Sequence, residues 1–86
     1  MPTVIDLMPR YFFHLNGPEA SLRDEEGLEL PDPEAAWYQA VRNAREMIRA
    51  ELHLGTSWEG QTIDIADHGG GQVDRIPLEE IARYAF

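Results

Sequence analysis

The chain's strongest structural commitment lies in its middle. Apolar side chains recur at Trp37, Ala40, Val41, Ala44, Met47, Ile48 and Leu52, the spacing of a single α-helical face. Gln39, Arg42, Arg45, Glu46 and Arg49 fall on the other side, with the arginines weighted toward the negative C-terminal end. Asp32 is a good N-cap, Pro33 suits the first helical position, and Glu34 complements the positive end of the helix dipole. Gly55 supplies the stop. The result is an amphipathic helix of about five turns, which must bury its apolar side against something.

The flanking segments supply a sheet. Arg10 to Leu15 is rich in aromatics and bounded by Pro9 and Asn16-Gly17, so it reads as a strand with Tyr11, Phe13 and Leu15 inward and Arg10, Phe12 and His14 outward. Asn16-Gly17-Pro18 turns the chain, and Ala20 to Asp24 returns antiparallel with Leu22 inward; Pro18 calls for a loop longer than two residues. A second turn at Asp24-Glu25-Glu26-Gly27 leads to extended Leu28 to Leu30. After the helix, Gln61 to Ala66 alternates with Ile63 and Ile65 inward, and Gln72 to Ile76 returns across Asp67 to Gly71. Val73 and Ile76 point to opposite sides of a regular strand, so a bulge or a two-sided strand is implied. Pro77 opens a short terminal helix with Leu78, Ile81 and Ala82 on its apolar stripe. The expected fold is α+β in the order ββαββα. An antiparallel sheet from two hairpins carries the long helix across one face and the short helix at its edge. Leu30 completes the expected core.

At 86 residues the chain is too short for two independent cores. We assign residues 8–86 to a single α+β domain and residues 1–7 to an N-terminal extension, with Met8 as an alternative start. In the competing reading, Val4, Ile5 and Leu7 add a short edge segment. Seven arginines against sixteen acids give a formal charge of −9, which disfavours nucleic-acid phosphate and anionic membrane as partners. The absence of cysteine excludes disulfides, thiolate metal sites and a Cys nucleophile. No segment is apolar enough to span a membrane, and no basic run begins a signal peptide, so the expected location is the cytoplasm.

Motifs that carry chemistry are weak. Glu19, Asp24, Glu25, Glu26, Glu29, Asp32 and Glu34 are crowded together, yet adjacent acids on an extended chain point apart, so a solvated loop is expected and not a cation site. His14, His53 and His68 lack metal-ligand spacing, and neither Ser21 nor Ser57 sits on a nucleophile elbow. Gly69-Gly70-Gly71 lacks the lysine and hydroxyl of a phosphate loop. We therefore expect no enzyme activity, no cofactor and no metal. Phe12, Tyr38, Trp58, Tyr84 and Phe86 lie outside the expected core, and exposed aromatics beside arginine are what interface centres favour. They are the candidate partner-binding residues. Trp58 and Phe86 can instead close over the helix as lids. The expected function is a non-enzymatic protein-interaction or oligomerising module, its partner a protein or a second copy.

The segments M-P-R-Y-F-F-H-L (Met8 to Leu15), D-E-E-G-L-E-L-P-D (Asp24 to Asp32) and E-A-A (Glu34 to Ala36) resemble a family of short bacterial proteins catalogued as domain of unknown function 6894. The I-D-I-A-D-x-x-G-x-V pattern from Ile63 to Val73 extends the resemblance. It implies a small cytosolic α+β domain and a start at Met8, and it carries over no catalytic residue. Pro33 after Asp32 and the Trp58-containing link depart from the family pattern. A looser similarity, in Leu30-Pro31-Asp32 leading to Glu34, Ala35 and Ala40, is to the antitoxin half of bacterial HicA–HicB pairs. It implies an alternative function, an acidic inhibitor covering a small basic toxin.

Overall fold

Strand β1 (Arg10–Asn16) is the central element of a five-stranded antiparallel sheet in the computed structural model, which describes residues 8–50 and 58–84, with only the backbone of Tyr84. As alternation requires, Tyr11 and Leu15 are buried on one side with Phe13 packed beside them. Along one flank β1 pairs with two very short strands: β2 (Ser21–Leu22), with Leu15 opposite Leu22, and β3 (Leu28–Glu29), with Arg10 opposite Glu29. Between them a side chain replaces the ladder. The Asp24 carboxylate accepts the Phe13 amide at 3.1 Å, and the Asp24 amide donates to His14 Nδ1 at 3.1 Å. The order before the helix is thus βββ. The expected return strand over residues 20–24 is cut short at Leu22, because Asp24 turns its side chain to the β1 backbone and is itself held by the following turn. The expected extended segment over residues 28–30 pairs with β1 as a strand of its own.

On its other flank β1 pairs with β4 (Thr62–Ala66), and β4 pairs with β5 (Gln72–Pro77). Ile65 faces Asp74 while Ala66 faces Gln72, so Val73 is the extra residue of a bulge. The bulge reconciles the two apolar residues of this strand: Ile76 is buried and Val73 packs against the same core.

Helix α1 (Pro33–Arg49) begins as expected, with Asp32 Oδ1 accepting the Ala35 amide at 2.8 Å and Pro33 in the first turn. Its buried line is Ala36, Ala40, Ala44 and Ile48, and it packs over β4 and β5. Three alanines let the helix axis sit close to the sheet, flanked by half-buried Val41 and Met47. Trp37, expected in the core, is 40% exposed, because that close approach leaves no room for an indole; it packs edge-to-face on Tyr38 at 5.1 Å. Leu22 is also corrected. It lies at the sheet edge beyond the cover of α1 and is 61% exposed. Helix α2 (Leu78–Tyr84) follows Pro77 and docks on α1 and β5 through fully buried Leu78 and half-buried Ile81. Residues 1–7, Leu52, His53, Gly55 and Phe86 lie outside the described residues.

Candidate functional site

With α1 on one side of the sheet, the other side is left without a covering element among the described residues. There the outward residues of β1 and β4 alternate into a row: Phe12, His14 and Asn16 against Ala66, Asp64 and Thr62. The Phe12 and His14 rings stack two residues apart, with centroids 6.3 Å apart and planes 9° from parallel. His14 Nδ1 accepts the Asp24 amide, so the neutral ring carries its proton on Nε2. The Arg23–Glu25 segment forms one wall and the Asp67–Gln72 hairpin the other, enclosing a groove of about 580 Å3.

Asp64 anchors this face. Its carboxylate takes Arg75 Nε on Oδ1 (2.9 Å) and Arg75 Nη2 on Oδ2 (3.1 Å), a bidentate pair across the β4–β5 ladder. Thr62 Oγ1 donates to Oδ1 at 2.8 Å and Asn16 Nδ2 to Oδ2 at 2.5 Å. Burial alone would raise the pKa of this carboxyl. Hydrogen bonds from Arg75, Thr62 and Asn16, with the Arg75 charge, outweigh it and hold Asp64 below the usual carboxylate range. Asp24 behaves alike: burial pushes it up, while the amides of Phe13, Gly27 and Glu26 and the nearby His14 bring it down. Asp67 is occupied too, accepting the amides of Gly69 and Gly71 at 3.0 and 2.8 Å. Glu25 and Arg23 stand on the rim without such partners among the described residues.

The outward side of α1 has the opposite character. Arg42, Arg45 and Arg49 are exposed, and none makes an ion pair among the described residues. With Trp37, Tyr38 and Val41 they border a second groove of about 520 Å3, whose one acid among the described residues is Glu46. Tyr38 is 61% exposed at the head of this face.

Residues 10–79 match the sequence profile of the family described as Domain of unknown function (DUF6894). The chain belongs to this family. The matched span holds both faces of this family member entire, from Phe12 to Gln72. No curated protein and no solved structure matches the chain.

The structure separates the candidate partner-binding residues. Phe12 is half-buried in the floor of the sheet groove and Tyr38 stands exposed on the helix. Trp58 is half-buried and packs against the core, as a lid does. Tyr84 is placed by its backbone in α2, and Phe86 lies outside the described residues. Sequence reasoning missed Asp24 and Asp64. For Asp24 the available signal was the D-x-x-G spacing to Gly27, an aspartate that caps its own turn. For Asp64 it was an acid between two inward isoleucines, opposite an arginine once the hairpin register is drawn. Among the described residues no group of three or more His, Asp or Glu is placed to hold a metal ion.

Proposed function

We propose that this member of the family is a non-enzymatic protein-interaction module, working in the cytoplasm through its arginine–aromatic helix face and its open sheet face. The observation that carries the reading is the helix face. Three arginines with no ion-pair partner among the described residues stand beside an exposed Trp37–Tyr38 pair on a chain of net charge −9. Long side chains with a flat guanidinium, next to aromatic rings, favour contact with another protein over solvation alone. The groove on the sheet supports a binding role more than a catalytic one, because Asp24 and Asp64 have both carboxylate oxygens taken up and Asp67 Oδ1 holds two amides of its own turn. The test is affinity capture from native lysate with wild type and with Tyr38→Ala/Arg45→Ala, both sites being exposed and outside the core. Loss of specific co-purifying or self-associated protein at unchanged melting temperature supports the reading, and an identical captured set contradicts it.

The acidic sheet groove favours a second reading, an antitoxin-like inhibitor that covers a small basic protein. Under that reading Glu25→Arg weakens capture and Arg45→Ala leaves it intact, which distinguishes the two.

A further inference from the structure

We propose that the occupant of each face is a second copy of this chain, the copies joining head to tail with the helix face of one seated in the sheet groove of the next. The inference rests on the interaction reading above and names its partner. Its first support is placement: α1 lies over one side of the sheet and the groove opens on the other, so the surfaces are on opposite sides of the molecule. Opposed unlike surfaces make heterologous contacts, which continue into a ring or a filament and do not close as a twofold dimer.

The second support is charge. With Asp64 occupied by Arg75, the groove presents Asp24, Glu25 and Asp67 against Arg23, while the helix presents Arg42, Arg45 and Arg49 against Glu46. The acids stand on the two walls of the groove, Asp24 and Glu25 on the flank of β1 and Asp67 just past the end of β4. An arginine entering between those walls has the Phe12 ring beneath it, an arrangement that favours a cation over an aromatic face. A helix-to-helix dimer sets arginine against arginine, and a groove-to-groove dimer sets acid against acid.

The experiment is sedimentation velocity on the full chain over a wide concentration range, with two charge reversals at exposed positions. Arg42→Glu/Arg45→Glu makes the helix face acidic, and Glu25→Arg/Gln72→Arg makes the groove basic. Wild type is expected to grow past the dimer as concentration rises. Each reversed variant alone requires at least about tenfold higher concentration to associate. An equimolar mixture of the two recovers the wild-type behaviour, because every junction again joins unlike charges. A wild type that stays monomeric at all concentrations overturns the proposal, as does a mass that stops at two, or a mixture no more associated than its components. A monomeric wild type leaves the broader interaction reading standing. That reading falls only if Tyr38→Ala/Arg45→Ala also retains the whole captured set.

Discussion

Two aspartates carry much of the local order of this small domain. Asp24 takes the place of a missing strand rung, bonding the Phe13 amide on one side and the Glu26 and Gly27 amides on the other. Asp64 ties Asn16 of β1, Thr62 of its own strand and Arg75 of β5 into one cluster. Both carboxyls have folded-state pKa values below the ordinary one, so they stabilise the fold at neutral pH, and that contribution is lost as pH falls below about 5 and through the folded values. Asp64→Asn is expected to lower stability at neutral pH, because the neutral amide offers one acceptor oxygen where Thr62, Asn16 and Arg75 now share two on a charged carboxylate. It also flattens the acid limb of stability, and urea denaturation across the acid range reads both effects. Gly27 is the other sensitive residue. Its φ is +71°, and a Cβ there would stand 2.8 Å from both the Tyr11 carbonyl oxygen and the Phe12 ring. Gly70 shares the left-handed φ, at +88°, with open space around it. Gly27→Ala should therefore lower the melting temperature clearly more than Gly70→Ala, and equal losses would show that backbone conformation alone matters.

At the scale of elements, α1 is held by closeness more than by bulk. Ala36, Ala40 and Ala44 are fully buried against the sheet, and enlarging one lifts the helix. Ala40→Leu is expected to destabilise by about 1–3 kcal/mol through overpacking, measured as a shift of the denaturant midpoint, although leucine is the more hydrophobic residue. The helix was legible in the sequence because its signals are local: Asp32 and Pro33 start it whatever lies around them, and the apolar period marks its inner side. Ala40, Ala44 and Ile48 were legible on that side, but the periodicity added Trp37 and passed over Ala36; the distance between helix and sheet selects the small residue, and that distance is a tertiary quantity. The Val73–Ile76 spacing announced the bulge for a similarly local reason. The turn between β2 and β3 was legible at Asp24 to Gly27, but the early end of β2 at Leu22 was hidden, since it depends on a side chain of Asp24 reaching a backbone amide eleven residues away. Of the site, Phe12 and Tyr38 were visible as aromatics left over from the core. The pairing of Asp64 with Arg75 emerges only from the hairpin register.

Taken whole, the molecule is a helix layer and a sheet layer whose two outer surfaces differ in sign. The edges of the sheet are poor sites for strand addition. On β5 the Arg75 amide is already taken by the Asp74 carboxylate at 2.7 Å and Pro77 has no amide, and on the opposite flank β2 and β3 are two residues each. The proposed association runs through side chains of the two broad faces, and it makes the outward arginines of α1 and the acidic groove parts of one device. The most direct test is to follow the backbone amide resonances of the isotope-labelled chain on dilution from high concentration. The account predicts that amides of the sheet groove, around Phe12, His14, Glu25 and Asp67, and those of the helix face, around Tyr38, Arg42 and Arg45, move together with one concentration dependence. Resonances that stay fixed, or that move on only one of the two faces, would contradict it.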